Sequence, residues 1–232
     1  MNSVIVAAAG KGVRLGASCA KPYVEIRGVP LLVRTVGRFE AIPAIDEIVV
    51  VVDPAGVDRA TALLEKGGAR AKVRAVVAGG ARRQDSVREG LRAVSEEAAI
   101  VLVHDGARPF FSERSAVESI GAAEKTGGAI VAVPLSDTLK RVSGDRIIQE
   151  TVPRGGLWRA QTPQTFRCSL LREAYEKAYA DGFEATDDAS VFERAGFPVA
   201  VVEGTSSNIK ITTPEDVRMA EKFAEIFDTS GA

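Results

Sequence analysis

Short runs that are apolar at every position are the feature of this sequence that most restricts its fold. Such runs are typical of strands covered on both faces of a parallel sheet, because a strand with one solvated face alternates apolar and polar residues. Segments with helical periodicity separate them, so the sequence predicts an α/β fold with a doubly wound, mostly parallel sheet. The runs lie at positions 4–8, 48–52, 100–103 and 129–133, with a further strand at 73–77.

Local signals place the remaining elements. Pro30 opens the first helix, and Ser112 caps a later one. Short strands are expected at 199–202 and 209–212, followed by a closing helix that begins after Thr213. The apolar stripe of that helix is predicted to be Met219, Phe223, Ile226 and Phe227. Further helices are expected at about 57–65, around 87–94 and at about 169–179. Another is expected after residues 186–188, which are predicted to cap it.

One segment has little apolar surface of its own. Residues 136–142 and 146–152 form a predicted two-stranded hairpin around a turn at 143–145. An isolated hairpin is marginally stable in water and needs another surface to pack against. We therefore expect residues 136–154 to form a protruding arm through which the chain makes a homodimer.

The composition narrows the classes of function. With 232 residues and a formal net charge of −1, the chain has no overall field that would attract nucleic acid or an anionic membrane. No apolar run is long enough to span a bilayer, and no linker-like segment divides residues 1–232, which predicts a single domain. Residues 1–3 lead straight into a strand and the two cysteines suggest reduced thiols, so we expect a cytoplasmic protein. The single histidine, His104, excludes a zinc site built from several histidines.

A glycine-rich, cationic loop follows the first apolar run. It reads A-A-G-K-G-V-R-L-G at positions 8–16, with Lys21 a few residues further on. The dinucleotide fingerprint needs glycine where Leu15 stands, and a P-loop needs glycine where Ile5 stands. Backbone N–H groups near glycines, combined with Arg14 and Lys21, still suit the binding of phosphates. The loop therefore predicts a nucleotide-binding site that matches neither standard motif. The alternative interpretation is a solvated surface turn.

Two further loops follow strands and therefore fall at the same edge of the predicted sheet. Residues 79–86 read G-G-A-R-R-Q-D-S before a helix, and Asp105 stands at the tip of the strand at 100–103. Open α/β sheets bind ligands at the carboxyl ends of their strands. A carboxylate there is costly without a partner, so Asp105 is a candidate Mg²⁺ ligand, with capping of the next turn as its alternative role. A magnesium-bound triphosphate would satisfy all three loops and favours nucleotidyl transfer.

Seven motifs occur in order along the chain, at residues 8–16 with 21–22, then 79–87, 104–109, 137–140, 160–164, 186–187 and 208–210. Together they resemble the motifs of the 2-C-methyl-D-erythritol 4-phosphate cytidylyltransferase family. The resemblance spans nearly the whole chain. It implies the Rossmann-like fold of the nucleotide-diphospho-sugar transferases and transfer of CMP from CTP to methylerythritol phosphate, with release of pyrophosphate, in non-mevalonate isoprenoid biosynthesis.

The same resemblance implies roles for individual residues, with Asp105 on magnesium and an arm from the partner subunit at the sugar phosphate. Catalytic cations would be Arg14, Lys21 and Lys210. Nucleotide-binding residues would be Ala8, Ala9, Gly10, Gly12, Gly80, Asp85, Ser86 and Gly106. Substrate-binding residues would be Arg108, Thr138, Arg154, Thr162, Thr186 and Lys210. Two positions depart from the family pattern: Gly106, where alanine is frequent, and Ala81, where an acidic residue can occur.

Two alternatives remain at this stage. Ribitol 5-phosphate cytidylyltransferases share the fold and many of these motifs, but their first loop more typically has two consecutive glycines where this chain has Ala8-Ala9-Gly10. A catalytically silent domain that binds CTP to regulate a partner is the alternative of another class. The retention of Arg14, Lys21, Asp105 and Lys210 favours an enzyme, because a pure binder has no need of every charge around the reacting phosphate.

Overall fold

The computed structural model describes residues 1–10 and 20–229, and strands and helices alternate along most of that length. The strands are β1 (Asn2–Ala8), β2 (Glu25–Ile26), β3 (Val29–Pro30), β4 (Glu47–Val52), β5 (Val73–Ala78), β6 (Ile100–Asp105), β7 (Gly128–Pro134), β8 (Leu139–Val142), β9 (Ile148–Val152), β10 (Trp158–Arg167) and β11 (Val199–Glu203). The helices are α1 (Leu31–Glu40), α2 (Val57–Lys66), α3 (Arg83–Ala93), α4 (Glu113–Thr126), α5 (Cys168–Ala180), α6 (Asp188–Arg194) and α7 (Pro214–Thr229).

A seven-stranded sheet with the order β11-β7-β10-β6-β1-β4-β5 forms the centre of the molecule. Neighbouring strands are parallel, except that β10 runs antiparallel to both β6 and β7. The chain passes from β1 to β4 and β5 on one side and then returns to β6 on the other side of β1. This reversal beside β1 is a topological switch point, where the carboxyl ends of the strands leave a crevice. The predicted doubly wound, mostly parallel sheet is confirmed.

Helices cover both faces of the sheet, which explains why the central strands are apolar at every position. Side chains of α1, α2 and α4 pack on one face, and those of α3, α5 and α6 pack on the other. A smaller cluster joins α7 to β2 and to the segment after β6 through Ile26, Phe110 and Ala224. All positions of β4 and β6 are buried, so the sheet is a rigid base for loops at its edge.

The longest strand of the sheet, β10, was not predicted. Its sequence has no apolar run, and it contains Pro163, which cannot donate to a ladder. The pairing with β7 shifts register between Ala160 and Gln164, where that proline lies. Burial of its polar middle is set by the neighbouring strands and not by its own pattern.

The C-terminal region differs from the prediction in two places. Residues 209–212 are not a strand, although the backbone N–H of Ile211 donates to the carbonyl of Ala107 at 2.9 Å. In α7 the small residues Ala220 and Ala224 are fully buried, whereas Met219 and Ile226 are 52% and 60% exposed. The predicted stripe was therefore wrong at those two positions, because the face of α7 that packs on the core contains Ala220 and Ala224 instead.

The predicted arm is present as a hairpin of β8 and β9, whose strands pair with each other and not with the central sheet. Val142, Ile147 and Ile148 on this hairpin are more than half exposed. Within residues 1–10 and 20–229, none of the helices has both the length and the apolar character that a bilayer crossing needs.

Candidate active site

A cleft of about 420 Å³ opens at the carboxyl ends of β1, β5 and β6, next to the switch point. Small residues form much of its wall, which leaves backbone groups accessible to a ligand. Cations enter it from three separate segments, which are the start of α3, the turn after residue 20 and the loop before α7. Its lining includes Ala8, Ala9, Gly10, Lys21, Gly80, Ala81, Arg82, Arg83, Ser86, Asp105, Gly106 and Lys210. The described ends of the first predicted loop, Gly10 and Lys21, meet the second loop and Asp105 here.

Asp105, the last residue of β6, is the acidic centre of the cleft. Its carboxylate lies 2.8 Å from Nζ of Lys210, 3.3 Å from Nε of Arg83 and 3.4 Å from Nε of Arg108. Burial would raise the pKa of Asp105, but the charges of Arg83, Lys210 and Arg108 outweigh it and hold the pKa well below its ordinary value. The carboxylate is therefore ionised throughout the physiological range, as a ligand of a hard cation must be.

An ion pair with a buried carboxylate holds Arg83 in place. Nη2 of Arg83 lies 2.7 Å from Oδ2 of Asp188, a side chain with no exposed surface at the start of α6. The other carboxylate oxygen of Asp188 accepts a hydrogen bond from the hydroxyl of Tyr175 at 2.6 Å. Burial would lower the pKa of Arg83, but the charges of Asp188 and Asp105 outweigh it and raise the pKa, so the guanidinium stays charged.

A chain of hydrogen bonds lies beneath Asp105. The backbone N–H of Asp105 donates to Oγ1 of Thr162 at 3.0 Å, and that oxygen lies 3.0 Å from Nδ1 of His104. Nε2 of His104 is 2.9 Å from the carbonyl of Arg108. Because a carbonyl can only accept, Nε2 carries the ring proton and Nδ1 accepts from the threonine hydroxyl. Thr162, predicted to bind substrate, is buried here and fixes the end of β6.

The neutral His104 makes the stability of the fold depend on pH. The ring is fully buried, and burial lowers its pKa from the ordinary 6.5 to about 3. The nearby charges of Asp105, Arg108 and Arg83 act in opposing directions on it. Above the unfolded-state pKa neither state is protonated, whereas below it only the unfolded state binds the proton. The free energy of unfolding should therefore fall as the pH drops below about 6.5, by about 1.4 kcal/mol per pH unit.

Urea unfolding at pH 7.5, 6.0 and 5.0 tests this expectation, with His104→Gln as the comparison. Because the chain has one histidine, the substitution should remove most of the slope between pH 7 and pH 5. Equal slopes for both proteins would show that His104 is not the group responsible.

The nucleotide-binding residues predicted on the second loop occupy the β5–α3 junction. The helix begins at Arg83, earlier than expected, so Asp85 and Ser86 lie in its first turn. Oγ of Ser86 accepts from the backbone N–H of Gly80 at 3.1 Å. A Cβ at Gly80 would lie 2.4 Å from Cβ of Asp85, so only glycine fits this approach. Asp85 does not line the cleft, and its carboxylate accepts hydrogen bonds from Arg82 and Tyr179.

The other predicted residues fall into three groups. Arg14 and Gly12 lie outside the described residues, so their predicted roles stay predictions. Arg108 is mostly buried and donates from Nη1 to the carbonyl of Asn208 at 2.7 Å, which ties the loop carrying Lys210 to β6. Exposed residues that do not line the cleft of this single chain are Thr138 and Arg154 on the arm and Thr186 before α6.

The donor set fits magnesium only together with phosphate oxygens. Asp105 supplies one carboxylate, and the residues from 1–10 and 20–229 include no cluster of three or more His, Cys, Asp or Glu side chains suited to a metal ion. Mg²⁺ is commonly held by one or two carboxylates, substrate phosphates and water. The cleft therefore suits a metal ion that arrives with a nucleotide triphosphate.

Sequence reasoning missed the part of the site that comes from distant segments. Arg83 stood in a loop already identified as ligand-binding, but nothing marked it as different from Arg82. Asp188 was interpreted only as part of a helix cap, and Asp187 is the residue that caps α6. The available signal was the pair of acidic residues, Asp187 and Asp188, at the start of one helix. One of them is enough to cap the helix, so the other was a candidate for a different role.

The fold and this cationic cleft define an α/β enzyme of the nucleotidyltransferase type. A family model described as 2-C-methyl-D-erythritol 4-phosphate cytidylyltransferase matches residues 2–225. The chain belongs to that family.

Relatives and solved structures agree with this assignment. Proteins named 2-C-methyl-D-erythritol 4-phosphate cytidylyltransferase from Syntrophus aciditrophicus (strain SB) and Geobacillus kaustophilus (strain HTA426) are 48% and 46% identical, with 94% of each chain covered in both comparisons. The crystal structure of 4-diphosphocytidyl-2C-methyl-D-erythritol synthase from Anaerococcus prevotii superposes with a TM-score of 0.84 at 36% identity, covering 97% of this chain and 96% of the other. The crystal structure of the family member from Thermus thermophilus gives a TM-score of 0.78 at 35% identity, covering 96% and 98%.

Proposed function

We propose that this chain transfers CMP from CTP to 2-C-methyl-D-erythritol 4-phosphate, giving 4-diphosphocytidyl-2-C-methyl-D-erythritol and pyrophosphate. The observation that carries the proposal is that one cleft at the switch point of the sheet is lined by Lys21 and by Asp105, whose carboxylate contacts Lys210 and Arg83. Family membership supports this substrate over ribitol 5-phosphate. It also supports an enzyme over a CTP-sensing domain.

The reaction needs positioning and charge neutralisation more than proton transfer. An oxygen of the sugar phosphate attacks the α-phosphorus of CTP, a new P–O bond forms, and the bond to pyrophosphate breaks with its electron pair leaving on pyrophosphate. A phosphate monoester is largely dianionic at neutral pH, so no general base is required. Lys21 and Lys210 stabilise the negative charge that moves to the bridging and leaving oxygens. Gly80 and Ser86 offer backbone and hydroxyl groups to the cytosine ring of CTP.

Magnesium is part of the proposal as a cofactor. Asp105 would hold the ion together with phosphate oxygens, and the ion would neutralise triphosphate charge. Lys210 and Arg83, which contact the carboxylate of Asp105, keep it ionised for this role.

A cytoplasmic location is part of the proposal, and the buried free thiol of Cys168 is consistent with it.

A homodimer through the arm is also part of the proposal. The hairpin makes no ladder with the central sheet and exposes Ile147 and Ile148, which favours packing on a second copy. Thr138 and Arg154 would then reach the sugar phosphate in the partner's cleft. Sedimentation at micromolar concentration tests the assembly, and a fully active monomer would contradict it.

Pyrophosphate release from CTP and Mg²⁺ tests the activity, with methylerythritol phosphate and ribitol 5-phosphate as separate substrates. We expect release with the first and little with the second. Preference for ribitol 5-phosphate would reassign the substrate, and CTP binding without release from either would leave a sensor.

Arg154→Ala is expected to raise KM for the sugar phosphate by about tenfold or more while CTP affinity stays within about twofold, because a charge-assisted contact to phosphate is lost. In this chain the Arg154 guanidinium donates to the carbonyl of Ser136. The matched control is Arg141→Ala, which removes another arginine of the arm, one that is paired with Glu150. A similar rise in KM for both variants would indicate general damage to the arm.

A further inference from the structure

A buried carboxylate outside the cleft has no part in the proposed reaction so far. Asp188 has no exposed surface and does not line the cleft. Its two oxygens are taken by Nη2 of Arg83 at 2.7 Å and by the hydroxyl of Tyr175 at 2.6 Å. Its backbone N–H donates to Oε1 of Gln164 at 3.0 Å, so the strand β10 fixes the start of α6 from below.

Stability alone does not explain this arrangement. Taking the Asp188 carboxylate fully out of water, and the 30% exposed Arg83 side chain partly, costs several kcal/mol, and a well-packed apolar pair in the same space is often equally or more stable. The α6 cap does not need Asp188 either, since Asp187 caps that helix with a hydrogen bond from the Ser190 N–H at 3.0 Å. The ion pair therefore has a use that an apolar pair would not provide.

That use is found at a second nitrogen of the same guanidinium. While Nη2 of Arg83 is held by Asp188, its Nε lies 3.3 Å from Oδ1 of Asp105. The guanidinium is planar and rigid, so fixing the position of Nη2 restricts the direction in which Nε donates. Oδ2 of Asp105 is meanwhile in contact with Lys210 at 2.8 Å. Both oxygens of Asp105 are thus in contact with cations, since Arg108 also approaches Oδ2 at 3.4 Å, and the contact from Arg83 is held in place from outside the cleft.

We propose that Asp188, supported by Tyr175, is a positioning residue for the reaction, acting through Arg83 to orient the carboxylate of Asp105 toward the metal-bound triphosphate. This deepens the proposed function and rests on it. Without Asp188, the flexible side chain of Arg83 gains rotamer freedom and is free to pair with phosphate oxygens or fully with Asp105. Either change would displace the carboxylate from the position in which it meets the metal.

Asp188→Asn tests the proposal, since it keeps the size of the side chain and removes its charge. We expect kcat for pyrophosphate release to fall about tenfold or more, the Mg²⁺ concentration for half-maximal rate to rise, and KM for the sugar phosphate to change by less than about threefold. Tyr175→Phe, which leaves the charge pair intact, should fold readily and lower kcat by about threefold. Asp187→Asn is the matched control: it removes the adjacent carboxylate and should lower thermal stability while leaving the Mg²⁺ dependence unchanged.

A double-mutant cycle decides whether Asp188 acts through Arg83. In the Arg83→Met background, Asp188→Asn should change kcat by less than about twofold, because the residue that transmits its effect is already gone. An undiminished effect in that background would overturn the proposal. So would wild-type Mg²⁺ dependence in both Asp188→Asn and Tyr175→Phe at a temperature where they are folded.

Calorimetry separates failure of this inference from failure of the proposed function. A wild-type chain that releases no pyrophosphate would contradict the proposed function. The Mg²⁺-dependent gain in CTP affinity is measured in the same samples, and Asp188→Asn should reduce that gain by about fivefold or more. An unchanged gain would overturn the positioning role whatever the outcome of the activity assay.

Discussion

Replacing Lys21 with alanine is expected to lower kcat by on the order of 10²-fold or more, with a much smaller loss of CTP affinity. Lys21 opens a 3-10 turn at the wall of the cleft, and the turn is anchored at its other end. The hydroxyl of Tyr23 donates to the carbonyl of Gly56 at 3.1 Å, and the guanidinium of Arg59 lies 3.9 Å from the centre of the Tyr23 ring. A cation on so fixed a turn can stabilise charge that develops only in the transition state.

Steady-state kinetics and CTP binding, measured on the same preparations, check this expectation. Lys66→Ala is the control, because Lys66 is an exposed lysine at the end of α2 and does not line the cleft. It should match the wild type in both measurements. Equal losses of kcat and affinity in Lys21→Ala would show that Lys21 binds the nucleotide without stabilising the transition state.

Arg83→Met is expected to destabilise the fold by about 3–5 kcal/mol, because it leaves the charge of Asp188 buried without a cation. Asp188 has no exposed surface, and Tyr175 alone would remain to donate to its carboxylate. Solvent cannot replace the lost guanidinium at this depth. The free energy of unfolding from urea titration at neutral pH measures the loss.

Two further variants test whether the unpaired charge of Asp188 causes this loss of stability. Arg92→Met removes an arginine from the same helix whose partner, Glu89, is exposed, and should cost no more than about 0.5 kcal/mol. Adding Asp188→Asn to Arg83→Met removes the orphaned charge and should recover part of the stability. If the double variant were as unstable as the sum of the singles, the burial of charge would not be the cause.

Much of the fold could be predicted from the sequence because the central strands differ from everything around them. Runs such as 48–52 and 129–133 have no polar position, and only a strand covered on both sides suits such a pattern. Ser112 and Thr213-Pro214 mark the starts of α4 and α7 by capping, which is a local interaction. Their positions were correct for that reason. The strand β10 was missed because its burial comes from β6 and β7, and its own residues, with Pro163 among them, read as a polar connection.

The sequence by itself determined which loops would meet, since the carboxyl ends of parallel strands share one edge of a sheet. Lys21, Gly80 and Asp105 were predicted to lie together on that ground, and the cleft contains all three. The partners of those residues were decided only by tertiary structure. Arg83 and Asp188 are 105 positions apart, and their contact depends on how α3 and α6 pack on the same face of the sheet. Periodicity records which side of a helix is buried, but it does not record which buried side chains of two helices will touch. The charge that holds the candidate site in place therefore became visible only in three dimensions.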